Sequence, residues 1–301
     1  MVAKIKMHPE GPEFSRMIFG AWRMADWGLS TNDNQKLIEQ SIELGITTFD
    51  HADIYGDYQC EALFGEVLKQ APQLKEQMEI VTKCGIKLTS EHRPSHGFHR
   101  YDTSYEHIIW SAENSLKALN IDAIDCLLIH RHDPLMNADE VARAFSDLKQ
   151  QGKVKHFGVS NHLPHQFNLL QSRLDFPLVT NQVEVSILHT DAMYDGSLDQ
   201  CQQLNVAPMA WSPLAQGRLF TGTDEQSKRV QVKLAELSSH YGVTVDQLAY
   251  AWLLRHPSRI VPITGSGKIE RVASAIKAFD VQMSDDHWFE ILAASQGHEV
   301  P

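Results

Sequence analysis

The sequence predicts an α/β protein, a (β/α)8 TIM barrel with an N-terminal β-hairpin and an extra C-terminal helix. Apolar strand-like runs alternate with helical patterns from one end of the chain to the other. Eight strands follow the hairpin and each precedes a helix, which favours a parallel sheet with right-handed crossovers. No GxGxxG pattern follows the first of these strands, so an open doubly wound sheet is disfavoured.

The first half of the chain supplies a hairpin turn at 8–12 and then four strand–helix units. The first helix is predicted because Leu37, Ile38 and Ile42 recur on one helical face, and Gly45 stops it. The fourth strand is nearly all apolar, which is typical of a parallel strand buried on both faces. Strands are predicted over 16–19, 47–50, 79–83 and 124–130, and helices over 32–44, 61–69, 104–119 and 138–151.

The second half of the chain repeats this alternation. Strands are predicted over 156–160, 179–184, 207–211 and 260–264, and helices over 164–174, 196–204, 228–241, 245–255 and 269–279. A last helical pattern over 285–296 is the extra helix. Two segments, 84–103 and 215–227, follow strands without continuing the pattern, and loops this long are usually lids or binding loops.

The composition bounds the class of protein. The 301 residues suit one large barrel, and no linker or low-complexity stretch divides them, so a single domain over 1–301 is predicted. A formal net charge of −11 lacks the basic footprint of a nucleic-acid binder, so no nucleic-acid partner is expected. No signal peptide and no membrane-spanning stretch are visible, so we expect a cytoplasmic protein without a membrane partner.

The cysteines and histidines do not indicate a metal site. The four cysteines lack CxxC spacing and are interpreted as reduced thiols. Several of the 16 histidines cluster near residues 92–107, but their spacing is irregular and no HExxH pattern occurs. We therefore predict no metal.

Four reactive side chains lie at or just after the ends of predicted strands. These are Asp50, Tyr55, Lys83 and His130. Strand ends followed by helices are where barrel enzymes place their chemistry. A nearby ammonium is expected to lower the pKa of a phenol, a carboxylate can hold that ammonium, and an imidazole can orient a substrate oxygen. The alternative interpretation is a structural ion pair beside a tyrosine that only packs a loop.

These residues resemble the Asp–Tyr–Lys–His tetrad of the aldo-keto reductases, which are (β/α)8 barrels with an N-terminal hairpin. The resemblance extends along the chain, through GITTFD at 45–50, GVSNH at 158–162, NQVE at 181–184, WSPL at 211–214 and PITGS at 262–266. The chain is most similar to the bacterial general oxidoreductases of that family.

The resemblance implies that NADPH is the cofactor. In the family, residues like Ser160, Asn161 and Gln182 bind the nicotinamide carboxamide, and an aromatic residue at the position of Trp211 stacks on the nicotinamide ring. A buried core tryptophan is the alternative for Trp211. The pyrophosphate would be held by Ser212, Pro213, Leu214, Gly217 and Arg218.

The cofactor's 2′-phosphate is assigned to the segment after the last strand. A helix N-terminus suits phosphate, and Gly265 leads into such a helix. The resemblance implies that Ser266 and Arg271 bind the phosphate, and Lys268 adds positive charge. Arg271 could instead be a solvated helix residue. Ala275 departs from the family, where many members carry an adenine-binding Asn.

The expected function is NADPH-dependent reduction of aldehydes or ketones, with Tyr55 as general acid. The alternative is a redox sensor that binds NADPH and turns over slowly. A barrel hydrolase or isomerase is disfavoured, because no paired-carboxylate or metal-ligand motif stands out. A small carbonyl compound is the expected partner and a monomer the expected state. Specificity would come from residues 25–31, 84–103 and 131–137, with Trp27, Phe98, Tyr101 and His132, and the tail after Gln296 is short.

Overall fold

The structure is a computed structural model that describes residues 1–299. Residues 300 and 301, which end the predicted domain and the tail after Gln296, lie outside the described part. The strands are β1 (Lys4–Lys6), β2 (Glu13–Ser15), β3 (Ile18–Gly20), β4 (Thr48–Asp50), β5 (Glu79–Cys84), β6 (Ile86–Lys87), β7 (Arg100–Tyr101), β8 (Ile124–Ile129), β9 (Val154–Ser160), β10 (Leu178–Glu184), β11 (Met209–Trp211) and β12 (Val261–Thr264).

Twelve α-helices surround these strands in the described part of the chain. They are α1 (Thr31–Glu43), α2 (Tyr55–Tyr58), α3 (Cys60–Gln70), α4 (Tyr105–Leu119), α5 (Ala138–Gln150), α6 (Pro164–Gln171), α7 (Ser197–Gln203), α8 (Arg218–Thr221), α9 (Glu225–Tyr241), α10 (Val245–Leu254), α11 (Ile269–Ala275) and α12 (Asp285–Gln296). No helix in residues 1–299 is long and apolar enough to cross a membrane.

Eight parallel strands close into a barrel in the order β3-β4-β5-β8-β9-β10-β11-β12, and β12 pairs back onto β3. The predicted (β/α)8 barrel is therefore confirmed. The register aligns the carboxyl ends of neighbouring strands, since Gly20 lies beside Asp50 and Ser160 beside Gln182. Side chains that follow these ends consequently share one face of the barrel.

The N-terminal hairpin closes the opposite face. Strands β1 and β2 pair antiparallel, and the fully buried Met7 and Phe14 belong to one apolar cluster with Ile18, Val81 and Leu128 of the barrel interior. An apolar floor keeps water out of the amino end of the barrel. Of the two ends of the barrel, the carboxyl end is therefore the one left open to a small molecule.

The helices pack on the outside of the barrel through amphipathic faces. Helix α5 buries Val141, Phe145 and Leu148 at helical spacing, and Phe145 stacks on Phe157 of β9 with ring centroids 4.3 Å apart. The extra helix α12 is held differently. Trp288 stacks on Trp252 at 4.9 Å, and each indole N–H donates to the other residue's carbonyl oxygen, at 3.0 and 3.1 Å.

Two segments contain more structure than the sequence indicated. Within 84–103, strands β6 and β7 pair antiparallel, and two-residue strands are too short to show periodicity. Within 215–227, α8 forms and α9 begins at Glu225 rather than at 228. The earlier start follows from Asp224, whose carboxylate accepts a hydrogen bond from the Ser227 N–H at 2.9 Å and caps the helix.

Candidate active site

The four predicted reactive residues converge at the carboxyl end of the barrel. Asp50 ends β4, Lys83 is the second-last residue of β5, and His130 directly follows β8. Tyr55 begins α2 after the turn that leaves β4. Because β4, β5 and β8 are neighbours in the barrel, their ends bring the four side chains to one place.

Lys83 is the centre of this group. Its Nζ donates to both carboxylate oxygens of Asp50 at 2.8 Å, to the His51 carbonyl oxygen at 2.7 Å and to the Tyr55 hydroxyl at 2.9 Å. Lys83 is 0% exposed and Asp50 is 2% exposed. The ammonium is thus desolvated and held by a full set of acceptors, and one of these acceptors is the phenol.

The phenol of Tyr55 differs electrostatically from the sequence-based prediction. Burial raises the pKa of Tyr55 well above its usual value, and the Asp50 carboxylate raises it further. The expected lowering of this pKa by Lys83 is therefore wrong for the free protein. The reason is that burial disfavours the phenolate and the nearby Asp50 carboxylate repels it. Tyr55 accordingly stays protonated at neutral pH, which is the form that can donate a proton.

His130 is also neutral. Burial shifts its pKa well below the usual value, and the charges of Lys83 and Arg131 lower it further. The imidazole lies edge-on to the Tyr55 ring with centroids 5.9 Å apart, and its Nδ1 has no hydrogen-bond partner within residues 1–299. A neutral imidazole beside a neutral phenol can orient an oxygen atom without adding charge.

The residues predicted to bind nicotinamide form one hydrogen-bonded chain. The Trp211 indole N–H donates to Asn161 Oδ1 at 2.9 Å, Asn161 Nδ2 donates to Ser160 Oγ at 2.7 Å, and Ser160 Oγ donates to the Gln182 carbonyl oxygen at 2.8 Å. Gln182 Nε2 donates to Asp50 Oδ1 at 2.7 Å. The chain therefore joins the predicted cofactor residues to the tetrad. Trp211 is half-buried, and it packs against the apolar cluster that contains Met7 and Phe14.

The segment predicted to hold the pyrophosphate has an unusual backbone. Ser212, Ala215 and Gln216 adopt φ values of 51°, 49° and 55°, and Gly217 adopts 93°. Left-handed conformations cost energy for residues other than glycine, and turns that contain them can direct successive N–H groups toward an anion. Pro213 is buried and Leu214 is half-buried between them, whereas Arg218 is exposed and pairs with Asp224 at 3.2 Å.

The segment after β12 lies against the loop after β3. A Cβ at Gly267 would lie 2.8 Å from Trp27 Cγ, so only glycine allows this contact. Ser266 is buried, and its Oγ accepts a hydrogen bond from the Lys268 N–H at 3.2 Å. Gly265, Lys268 and Arg271, in the same segment after β12, are exposed. The two predicted phosphate-binding cations are thus accessible.

A second polar cluster behind the tetrad was missed by sequence reasoning. Glu61 of α3 accepts hydrogen bonds from Thr82 Oγ1 at 2.6 Å and Ser115 Oγ at 2.9 Å, and Ser111 Oγ donates to Asp53 at 2.6 Å. Burial raises the pKa of Asp53 to about 8 and that of Glu61 to about 7. Glu61 lies on a helix with no local signal of burial, so only the fold identifies it.

The predicted substrate-loop residues divide into two groups. Trp27 is half-buried, and His132 lies edge-on to His162 with centroids 5.4 Å apart. Phe98 and Tyr101 are exposed, at 76% and 38%. Within residues 1–299, no group of three or more His, Cys, Asp or Glu side chains is arranged to hold a metal ion.

Comparison with known proteins then identifies the family. The model of the aldo/keto reductase family matches residues 16–296. The chain belongs to the aldo/keto reductase family. This aldo/keto reductase is 54% identical to oxidoreductase YdhF of Escherichia coli over 301 residues, which is 100% of both chains. It is 44% identical to a 6-dehydroglucose reductase of Agrobacterium fabrum, over 96% of each chain.

A solved structure supports the same assignment. The thermostable aldo-keto reductase Tm1743, in complex with the inhibitor epalrestat, superposes with a TM-score of 0.82 at 26% identity, covering 97% of this chain and 99% of that one. The predicted family resemblance and fold are confirmed. The protein is therefore an oxidoreductase of the aldo/keto reductase family.

Proposed function

We propose that this oxidoreductase uses NADPH to reduce aldehydes or ketones to alcohols, with Tyr55 as the general acid. The observation that carries the proposal is the hydrogen bond from the Lys83 ammonium to the Tyr55 hydroxyl, at 2.9 Å, beside the neutral His130. A protonated phenol with a cation on its oxygen is a proton donor whose conjugate base is stabilised where it forms.

The residues at the carboxyl end of the barrel fit NADPH. Ser160, Asn161 and Gln182 offer amide and hydroxyl groups for the carboxamide, and the half-buried Trp211 offers a flat face for the nicotinamide ring. The segment from Ser212 to Gly217, in which left-handed residues flank Pro213 and Leu214, offers backbone N–H groups to a pyrophosphate.

The preference for NADPH over NADH rests on the segment after β12. Ser266, Lys268 and Arg271 together would hold the 2′-phosphate, with the arginine fork supplying charge-assisted hydrogen bonds. NADPH, when bound, supplies the hydride that reduces the carbonyl carbon.

The chain's own residues manage the proton and the developing charge. His130 and Tyr55 hydrogen-bond the carbonyl oxygen and orient it. Tyr55 donates its proton to that oxygen as it becomes an alkoxide, which is a far stronger base than a phenolate. The Lys83 ammonium stabilises the Tyr55 phenolate left behind. Asp50 holds that ammonium in place, and the Gln182 side-chain amide in turn donates a hydrogen bond to Asp50.

The relatives guide the choice of test substrate. A relative with 44% identity is called a 6-dehydroglucose reductase, so a sugar that carries an aldehyde belongs in the panel beside simple aromatic aldehydes. We further propose that the whole chain acts as one catalytic domain, and that it works as a cytoplasmic monomer.

The first test measures binding of the cofactor, with the quenching of tryptophan fluorescence as the signal. We expect NADPH to bind much more tightly than NADH. Arg271→Gln should weaken NADPH binding at least about tenfold and NADH binding less than about twofold, because it removes a charge-assisted hydrogen bond to the phosphate. Lys277→Gln, an exposed cation nearby, is the control. Equal losses for both cofactors in Arg271→Gln would contradict 2′-phosphate recognition.

The second test is turnover by Tyr55→Phe. Loss of the hydroxyl should lower kcat about 10²- to 10⁴-fold while NADPH affinity stays within about twofold. Full turnover by this variant would remove Tyr55 from the mechanism. Tight NADPH binding with negligible turnover of every aldehyde by the unaltered protein would instead favour a redox sensor.

A further inference from the structure

Arg131 stands out among the charged residues at the carboxyl end of the barrel. It follows His130 directly and is half-buried. No carboxylate and no carbonyl oxygen in residues 1–299 pairs with its guanidinium. Its guanidinium lies over the face of Trp211, whose ring centroid is 5.3 Å from the guanidinium carbon. An arginine without an anionic partner in a partly desolvated site retains its hydrogen-bonding capacity for a ligand.

The position of this cation relates it to the reacting atoms. Burial dominates the pKa shifts of Tyr55 and His130, but the Arg131 charge acts on both groups and lowers both pKa values. Arg131 therefore lies within electrostatic reach of the proton donor and of the imidazole that would orient the carbonyl. Its contact with Trp211 also places it beside the proposed nicotinamide platform.

The other charged groups of the site leave Arg131 without a compensating negative charge. The Lys83 ammonium is paired with the Asp50 carboxylate at 2.8 Å, and both Tyr55 and His130 are neutral at neutral pH. Arg131 is thus a cation next to the tetrad that forms no ion pair within residues 1–299. The protein as a whole carries −11, which repels anions at long range, so attraction of an anionic substrate has to be local.

We infer that Arg131 is a specificity-determining residue that binds an anionic group, a carboxylate or a phosphate, carried by the carbonyl substrate. A guanidinium presents a planar fork of N–H donors that matches both groups, and such charge-assisted pairs are stronger than neutral hydrogen bonds. The inference rests on the proposed reductase function and deepens it by naming the substrate class.

The inference is tested with two matched pairs of aldehydes. Para-carboxybenzaldehyde is compared with para-nitrobenzaldehyde, and glyceraldehyde phosphate with glyceraldehyde, each with saturating NADPH. In the unaltered enzyme the anionic member should have the lower KM. Arg131→Met should raise KM for the anionic member about ten- to hundredfold and change the neutral member less than about threefold. Arg131→Lys keeps the charge but loses the planar fork of N–H donors. Its KM for the anionic member should lie between those of the unaltered enzyme and Arg131→Met.

Controls separate this role from others. Arg143→Met removes a different arginine, which lies over the Tyr105 ring at 4.1 Å on the outer helix α5, and should leave both KM values unchanged. The dissociation constant for NADPH should stay within about twofold in Arg131→Met. A response confined to the carboxylate pair, or to the phosphate pair, identifies which anion is bound. Equal losses for neutral and anionic aldehydes, or a large loss of NADPH affinity, overturn the inference.

A binding measurement keeps the inference testable apart from turnover. Para-hydroxymethylbenzoate, the alcohol that reduction of para-carboxybenzaldehyde yields, is titrated into the protein with NADP⁺ present, and tryptophan fluorescence is followed. We expect the dissociation constant to be about ten- to hundredfold weaker in Arg131→Met. If no aldehyde is reduced but this difference is found, the reductase proposal fails and the anion site stands. If turnover is found without this difference, the anion site fails alone.

Discussion

The buried pair of Asp50 and Lys83 leads to a prediction about stability as well as activity. The perturbation is a set of three variants: Asp50→Asn, Lys83→Met and the double variant. Both side chains are almost completely buried, and Nζ lies 2.8 Å from each carboxylate oxygen. Removal of one partner leaves the other charge desolvated and unpaired, whereas removal of both leaves neither.

The structure sets the magnitude. Breaking a buried pair by removing one partner typically costs about 3–5 kcal/mol. In Lys83→Met the Asp50 carboxylate keeps one neutral donor, Gln182 Nε2 at 2.7 Å, which places the loss toward the lower end. In Asp50→Asn the ammonium keeps the His51 carbonyl and the Tyr55 hydroxyl as acceptors. The double variant should lose less than the sum of the single losses, with a coupling free energy above about 2 kcal/mol.

The assay is urea denaturation at neutral pH, with a double-mutant cycle on the free energy of unfolding. All three variants should also lose most of their aldehyde reductase activity. Without Lys83 the Tyr55 phenolate lacks its stabilising cation, and without the Asp50 carboxylate that cation is no longer held in place. Single losses under about 1 kcal/mol with no coupling would refute the description of a desolvated ion pair. If the double variant recovers stability without recovering activity, the loss of stability comes from an unpaired buried charge, and the loss of activity comes from the missing catalytic groups.

Three further predictions concern ionisation and packing. Because the pKa of Tyr55 lies well above 10.0 and that of His130 well below 6.5, kcat should be flat from about pH 6 to 9, and a limb near 6.5 in the pH–rate profile would contradict the neutral imidazole. The folded protein keeps the Glu61 proton up to a pKa of about 7, whereas the unfolded chain releases it near 4.5, so stability falls as pH rises between these values. Glu61→Gln, with its unfolding free energy measured at pH 5 and pH 8, should remove about 2.5 kcal/mol of that fall, and an unchanged pH dependence would show that Glu61 is ionised in the fold. A Cβ at Gly65 would lie 1.9 Å from a carbonyl oxygen of helix α4, so Gly65→Ala should lower the melting temperature by several degrees, whereas Gly97→Ala, with open space around it, should not.

The barrel and the tetrad were predictable because both follow from short-range patterns. Strands with nearly all-apolar runs, such as 124–130, alternate with helices whose apolar residues recur every three or four positions. In a parallel barrel every strand delivers its carboxyl end to the same face, so Asp50, Lys83 and His130 had to meet once the strands were assigned.

The pKa of Tyr55 was not predictable in the same way. The sequence indicates that an ammonium is near the phenol, but the sign of the shift depends on burial and on how far Asp50 balances that ammonium. The hydrogen bond from Gln182 to Asp50 and the burial of Glu61 are equally long-range, since they join residues 132 and 21 positions apart. Loop detail was lost for another reason, because two-residue strands such as β6 and β7 carry no periodic signal.

The arrangement of charges explains how a phenol with a raised pKa can serve as the proposed acid. A lowered pKa would leave part of Tyr55 ionised before the substrate arrives, and phenolate cannot donate a proton. Here burial and Asp50 keep Tyr55 protonated, while the Lys83 hydrogen bond at 2.9 Å is already directed at the oxygen that will carry the charge. The stabilisation is therefore realised as the proton leaves, and interactions that strengthen only in the transition state are the ones that accelerate a reaction.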